Sequence, residues 1–130
     1  MAPHERLEAW QVTHKLALAT YRTTDTWPRD EKYGLISQLR RCAFSAASNI
    51  VEGAAKRGRR EFARYLDISL GSLAELEYGF RLAQDLSYLK SPDLEEVTSL
   101  QSSAGRLTRR LYEAVARRGR KSDGESTQEA

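Results

Sequence analysis

The sequence predicts an all-α protein, folded as an antiparallel up-down-up-down four-helix bundle. Its 130 residues are rich in Leu, Ala, Arg and Glu, while proline occurs only three times, and this composition favours helix. Apolar residues recur at three- and four-residue spacing through four long stretches, and no run alternates as a β-strand would. Because the three connections are short, neighbouring helices are expected to run antiparallel around one core.

The first predicted helix spans about residues 4–26. It ends at Trp27, because a residue that precedes proline is pushed out of the helical region. Its apolar face is predicted to consist of Leu7, Trp10, His14, Ala17, Tyr21 and Thr24.

The second predicted helix spans about residues 30–55, and Asp30 and Glu31 are placed in its first turn, where carboxylates suit the helix dipole. Its apolar stripe is predicted to comprise Leu35, Leu39, Cys42, Ala46, Ile50 and Gly53.

The third predicted helix spans about residues 59–89, with Phe62, Leu66, Leu73 and Phe80 among its inner residues. The fourth opens at Ser91-Pro92-Asp93, where the serine is expected to cap the helix. The bundle domain is predicted over residues 1–118. Residues 119–130 have no hydrophobic side chain except the last alanine, so a disordered polar tail is expected there.

Small and polar residues are clustered on the second and third helices. A glycine inside a helix, as Gly71 is, costs about 1 kcal/mol relative to alanine, so a closely approaching helix is expected to offset that cost. The approaching helix can belong to the same bundle or to another subunit. Polar residues near the inner faces are expected to find partners in Arg40, Arg41 and Arg81. The candidates for packing between helices or subunits are Asn49, Glu52, Gly71, Ser72, Glu75 and Glu77.

The residues that enzymes and metal sites use are sparse. His4 and His14 are the only histidines, and the Glu-x-x-His pairs of di-metal bundles are missing from the sequence. Cys42 falls on an apolar face and is expected to act as a small core residue. We therefore expect no enzymatic activity, no catalytic residue, no metal, no cofactor and no small-molecule substrate.

The sequence favours a cytoplasmic protein without a membrane partner. A single unpaired cysteine suits a reducing compartment. The N-terminal residues do not have a signal-peptide pattern, and no stretch approaches the roughly 18 apolar residues of a membrane span.

Positive charge is concentrated in two segments, although the net charge is only +3. Residues 56–64 carry five basic side chains against Glu61, and residues 106–121 carry seven against Glu113. Simple counting places these segments at opposite ends of the bundle. Arginine outnumbers lysine 16 to 5, which suits phosphate binding.

These charges predict binding to RNA or DNA backbones, mostly through phosphates. The alternative is a protein-interaction scaffold or adaptor whose charges are only solvated helix ends. The predicted nucleic-acid contacts are Arg40, Arg41, Lys56, Arg57, Arg59, Arg60 and Arg64, and secondly Arg117, Arg118 and Arg120.

Many residues between Leu7 and Leu89 also follow the pattern of a known family. The chain resembles the four-helix bundle proteins of the 23S rRNA intervening-sequence type. The matching residues are Trp10-Gln11, Leu16-Ala17, Tyr21, Thr24, Pro28, Glu31, Tyr33-Gly34-Leu35, Gln38-Leu39-Arg40-Arg41, Ala43, Ser48-Asn49-Ile50, Glu52-Gly53, Glu61-Phe62, Leu66, Gly71-Ser72-Leu73 and Glu75-Leu76-Glu77.

The resemblance implies a bacterial four-helix bundle that assembles into a homopentamer. A more distantly similar protein, the accessory variability protein of diversity-generating retroelements, binds nucleic acid and a reverse transcriptase, so a protein partner of that kind is also implied. The family offers no catalytic residues. Gly58 stands where its members usually have a serine N-cap, a change that leaves the fold prediction intact.

Overall fold

A computed structural model describes the backbone of residues 1–129 and the side chains of residues 1–118. Its helices are α1 (Glu8–Thr24), α2 (Leu35–Ala54), α3 (Arg59–Asp85) and α4 (Asp93–Glu129), and short 3-10 turns lie at Pro3–Arg6 and Arg29–Glu31. The described residues contain no strand, so the predicted all-α class is confirmed. The predicted tail, residues 119–130, lies outside the residues whose side chains are described.

Each helix packs against the helices next to it in a closed ring. The contacts join α1 to α2, α2 to α3, α3 to α4, and α4 back to α1, and the pair α2 and α3 shares the most extensive one. Helices on the diagonals do not pack against each other in the described part of the chain. This pattern is that of the predicted up-down-up-down bundle.

The buried apolar residues form two core clusters, one toward each end of the bundle. The first core cluster contains Trp27, Leu39, Leu76 and Leu89 and lies toward the α1–α2 and α3–α4 connections. The second core cluster is smaller and lies toward the α2–α3 turn. Its buried members are Ala9, Ile50, Leu66 and Val115.

A buried polar layer of Thr13, Ser69 and Thr108 lies between the two clusters. Each of these residues is at most 1% exposed. The Ser69 hydroxyl donates to the Ala46 carbonyl at 2.7 Å, whereas the Thr13 and Thr108 hydroxyls have no hydrogen-bond partner. Polar side chains at this level of three helices explain why the apolar core is divided in two.

The buried face of α1 differs from the predicted one. Its members are Ala9, Thr13, Leu16, Ala19, Thr20, Thr23 and Thr24. His14 and Tyr21, which were expected on that face, are exposed, and Trp10 is half-buried. The prediction was right for Thr24 and wrong for the aromatic residues, because small and hydroxylated residues form most of the inner face while the aromatic residues lie on the flank next to α2.

Two helix ends also differ from the sequence prediction. Asp30 and Glu31 lie in a separate 3-10 turn, and α2 begins only after Gly34. Helix α3 ends at Asp85, because Ser87 adopts a left-handed conformation with φ of 65°. The amide of Tyr88 then donates to the Ala83 carbonyl at 2.9 Å, which closes a Schellman motif. The Ser91 hydroxyl donates to the side chain of Glu95.

Helices α2 and α3 approach closely at Gly53 and Gly79. A Cβ atom on Gly53 would lie 2.8 Å from the Tyr65 Cβ, and one on Gly79 would lie 1.9 Å from the Leu39 Cδ2. A Cβ on Gly71 would meet no atom within 4 Å, and this residue is exposed. The close approach expected at Gly71 inside one bundle is therefore absent there and occurs at Gly79 instead.

The described helices are too polar or too short to cross a lipid bilayer.

Candidate nucleic-acid interface

The chain order brings the two basic segments to the same end of the bundle. Val115 of α4 lies in the second core cluster with Ile50 of α2 and Leu66 of α3. The prediction that the segments lie at opposite ends is thus wrong. A chain that runs up, down, up and down finishes its second and fourth helices at the same end.

We call this surface the basic end. The basic side chains that the structure describes there are all exposed, and they are Lys56, Arg57, Arg59, Arg60, Arg64, Arg117 and Arg118. Arg120, which was also predicted to bind nucleic acid, lies outside the residues whose side chains are described.

The charge of the whole bundle follows the same division. The segments around the second core cluster, residues 1–14, 47–66 and 105–118, carry eleven Lys or Arg and five Asp or Glu. Residues 15–46 and 67–104, which surround the first core cluster, carry eight Lys or Arg and ten Asp or Glu. The molecule therefore has a positive end and a nearly balanced end, which a net charge of +3 conceals.

The α2–α3 turn is short, and this fixes where its cations lie. Helix α2 ends at Ala54 and α3 begins at Arg59, with Gly58 in extended conformation as its N-cap. The Lys56 amide donates to the Gly53 carbonyl at 3.1 Å, and the Phe62 amide donates to the Gly58 carbonyl at 3.1 Å. These local backbone bonds fix the shape of the turn, and its basic side chains are exposed.

Glu61 neutralises one cation of the basic end. The Arg64 Nε and Nη2 atoms lie 3.2 and 3.3 Å from the two Glu61 carboxylate oxygens. These hydrogen bonds lower the pKa of Glu61 and raise that of Arg64. The Arg64 guanidinium also lies 4.6 Å from the centre of the Tyr65 ring. Arg64 is therefore engaged by its own chain through both an ion pair and a ring contact.

Arg40 lies outside the basic end and has a structural contact. Its Nε donates to the Thr24 hydroxyl at 2.9 Å, and its Nη2 donates to the Tyr21 carbonyl at 3.2 Å. The half-buried side chain thus joins α2 to the C-terminal turn of α1, where a cation is favourable. Arg41 is exposed. The structure separates both residues from the basic end, with which the sequence prediction had grouped them.

Three of the predicted packing residues meet at the seam between α2 and α3. The Ser45 and Ser72 hydroxyls are 2.8 Å apart, and the Asn49 amide donates to the Ser45 carbonyl at 2.8 Å. Glu75 accepts hydrogen bonds from the Gln38 amide at 2.6 Å and from the Cys42 thiol at 2.8 Å. We call this group the α2–α3 seam.

The carboxylates predicted near the inner faces lie on the surface. Glu52, Glu75 and Glu77 are exposed. Two of the expected arginine partners have other contacts, since Arg81 pairs with Asp85 at 3.2 Å and Arg40 contacts Thr24 and Tyr21. These positions lie at the borders of the helix contacts, and Glu75 takes its hydrogen bonds there from Gln38 and Cys42 and not from an arginine.

Cys42 is a buried core residue, as predicted. Burial, reinforced by the hydrogen bond to Glu75, raises the pKa of its thiol to about 12. The same thiol, together with Gln38, lowers the pKa of Glu75. Cys42 is therefore a neutral thiol at physiological pH, which is the unreactive form.

A row of aromatic side chains along α1 was not recognised as a surface feature from the sequence. The rings of Trp10 and His14 stack with centroids 5.0 Å apart, and the His4 ring meets the edge of Trp10 at 4.6 Å. The Arg40 guanidinium lies 4.8 Å from the centre of the Tyr21 ring. The spacing of Trp10, His14 and Tyr21 was visible in the sequence, but it was interpreted as a core face.

Comparisons with known proteins agree with this architecture. A crystal structure of a protein of unknown function from the S23 ribosomal protein family of Bacteroides thetaiotaomicron is similar, with a TM-score of 0.71 and 19% sequence identity. The similarity covers 80% of this chain and 97% of that one, and it supports the fold. The curated proteins include no match. The family model described as 23S rRNA-intervening sequence protein matches residues 5–113, and the chain therefore belongs to that family.

Proposed function

We propose that this protein is a non-catalytic nucleic-acid-binding protein whose basic end contacts the phosphates of RNA or DNA. One observation carries the proposal: two basic segments that are distant in sequence converge on one end of the bundle, around the second core cluster. A surface of this kind attracts a polyanion from several directions at once.

The chemistry of the side chains supports phosphate contacts. Arginine presents a planar set of donors that matches a phosphate group, and it stays charged at every physiological pH. Contacts of this type position a nucleic acid without reading its bases. Binding should therefore depend strongly on salt and only weakly on sequence.

The test is a salt series with structured RNA and with duplex DNA. We expect the triple variant R57A/R59A/R117A to bind more weakly and to show a smaller salt dependence. The slope of log affinity against log salt should fall by up to about 2–3, since each phosphate contact contributes about 0.7–0.9. The absence of binding by the unchanged protein at low salt would overturn the proposal.

The opposite end of the bundle supplies a matched control. Arg29, Lys32 and Lys90 are exposed and lie toward the first core cluster. R29A/K32A/K90A removes the same total charge as the triple variant of the basic end. If both variants lost the same affinity, net charge alone would explain the binding and the basic end would have no special role.

We further propose that the chain assembles into a homo-oligomer, a pentamer by its family resemblance. Ile68 is 41% exposed, although isoleucine is among the residues most often buried, and a neighbouring subunit would cover it. A ring of parallel bundles would repeat the basic end on one side. Light scattering tests this assembly, because a mass near 14.7 kDa, that of one chain, would contradict it.

A second candidate function is that of a protein-interaction scaffold. It is favoured by the exposed apolar residues Tyr78, Leu82 and Leu86 of α3 and its C-terminal end. A pull-down with and without nuclease distinguishes the two functions. Protein partners that stay bound after nuclease treatment would support the scaffold, and partners lost with the nucleic acid would support the first proposal.

A further inference from the structure

Several aromatic side chains of α1 and α2, together with His4, lie on the flank that these two helices share. Trp10, His14 and Tyr21 follow one another at four- and seven-residue spacing and therefore lie on one side of α1. Arg40 contacts Tyr21 and Thr24, so its side of α2 faces this flank. Phe44 follows Arg40 by one helical turn. We call His4, Trp10, His14, Tyr21 and Phe44 the aromatic stripe.

The rings of the aromatic stripe remain accessible, although aromatic side chains are usually buried. Phe44 is 64% exposed and Tyr21 is 46% exposed, and His14 is exposed as well. From Trp10 to Tyr21 the stripe extends about 17 Å along the helix axis at 1.5 Å per residue. Its rings already stack on each other and on a guanidinium, which are the arrangements that a nucleobase also adopts on protein.

The stripe begins at the basic end. Trp10 packs against the second core cluster, and so does Phe62 of α3, the helix that follows the basic turn. A strand whose phosphates contact the basic end can therefore continue along α1. The combination of a cationic surface with a row of exposed rings is typical of proteins that bind single strands.

We infer that the aromatic stripe binds unpaired nucleobases, so that the natural ligand of this protein contains single-stranded RNA or DNA next to the phosphates bound at the basic end. This inference rests on the proposed function and specifies its ligand. A duplex hides the faces of its bases in its own stack, and so it can use the basic end but not the stripe. Stacking tolerates any base, which fits a surface with few directed hydrogen-bond groups.

The test compares an oligonucleotide in single-stranded form with the same sequence annealed to its complement. F44A should reduce affinity for the single strand about fivefold or more and leave duplex affinity unchanged. The matched control is Y78A, because Tyr78 is 66% exposed but lies on α3 outside the stripe. It should change neither affinity.

Tryptophan fluorescence gives a second measurement that does not require a variant. Trp10 is half-buried in the stripe, whereas Trp27 is 6% exposed and belongs to the first core cluster. Stacking of a base on the stripe should quench Trp10 emission with the single strand and not with the duplex.

The outcomes separate this inference from the proposal on which it rests. One outcome is that the duplex binds in a salt-dependent way, that F44A affects both ligands equally and that Trp10 emission is not quenched. This outcome would overturn the inference about the aromatic stripe and would leave the proposal about the basic end intact. The absence of binding to either ligand would overturn both. A lower mass of F44A in light scattering, without a selective loss of single-strand affinity, would show that a second copy of the chain covers the stripe and would overturn the inference.

Discussion

The side chain of Leu39 occupies the space in which a Cβ atom on Gly79 would lie. That atom would be 1.9 Å from the Leu39 Cδ2 and 3.2 Å from its Cγ. Leu39 is 1% exposed and Gly79 is buried, so neither residue can move aside into solvent. The contact is one of two close approaches, with that at Gly53, between α2 and α3, the pair of helices with the most extensive interface.

We expect G79A to destabilise the fold, although alanine is the better helix former. The helix gains about 1 kcal/mol from the substitution. Overpacking at a contact this short costs about 1–3 kcal/mol, and the larger values apply where the neighbour cannot relax. The net loss in the free energy of unfolding should be about 1–2 kcal/mol in urea denaturation at fixed protein concentration.

A double variant tests whether Leu39 is the cause. L39A alone should cost about 2–5 kcal/mol, as buried leucine truncations do. In the G79A background the cost should be smaller, because the added methyl group fills part of the space that Leu39 vacates. Strictly additive effects would show that the strain at Gly79 arises elsewhere.

We expect the opposite sign for G71A. A Cβ atom there meets no atom of its own chain within 4 Å, so only helix propensity and unfolded-state entropy change. The gain should be about 0.5–1 kcal/mol. Thermal denaturation and light scattering should be run together on this variant. A loss of stability accompanied by a loss of mass would contradict the prediction and would show that a neighbouring subunit packs on Gly71.

We expect T108V to stabilise the bundle. The Thr108 hydroxyl is fully buried and has no hydrogen-bond partner, and valine has nearly the same shape and helix propensity. Removing an unsatisfied buried hydroxyl should gain about 1 kcal/mol in the free energy of unfolding.

Thr20 provides the control for that substitution. It is equally buried, but its hydroxyl donates to the Leu16 carbonyl at 2.7 Å. T20V should therefore gain less than T108V or lose stability. If T108V proved destabilising while T20V was neutral, the Thr108 hydroxyl would have a partner in solution, such as a buried water molecule.

The alkaline stability of the protein should depend on Cys42. The pKa of its thiol is raised to about 12 in the folded chain, against 9.0 in the unfolded one. Between these values the unfolded chain has lost the thiol proton while the folded chain retains it. The contribution of Cys42 is therefore fully present below pH 9 and is lost as the pH rises toward 12.

Urea denaturation of the wild type and C42A over this pH range measures the effect. Other groups also titrate there, and Tyr88 has a raised pKa as well. The difference between the two proteins isolates the thiol, and it should shrink as the pH rises. E75Q should lower the pKa of Cys42 only in part, since burial is the larger cause. A constant difference between wild type and C42A would contradict the prediction.

The fold was predictable because helical periodicity does not depend on knowing which face is buried. Four helices and their connections followed from apolar spacing and from a few turn residues such as Pro28. The inner face of α1 did not, since Thr13, Thr20 and Ala19 have little hydrophobic contrast with their neighbours. The large aromatic residues of the same helix suggested a core that the structure places elsewhere.

The sequence was sufficient to predict which basic residues are candidates for the site, but not which of them lie together in the structure. The basic residues of the α2–α3 turn were identified, but Arg40 was grouped with them because the sequence does not show that it contacts Thr24 and Tyr21. The glycine that permits close helix contact could not be chosen either. Gly71 and Gly79 differ only in what faces them, and this depends on the register between two helices.

The position of the basic end has a further consequence for how the protein responds to its surroundings. Most of the excess positive charge lies over the smaller core cluster, where the fewest apolar contacts oppose mutual repulsion. Dissolved anions screen that repulsion within about 10 Å at 0.1 M salt. The end of the bundle at the first core cluster should therefore be the more stable end in any buffer. The basic end should gain stability only when counterions, or a polyanion, accumulate there.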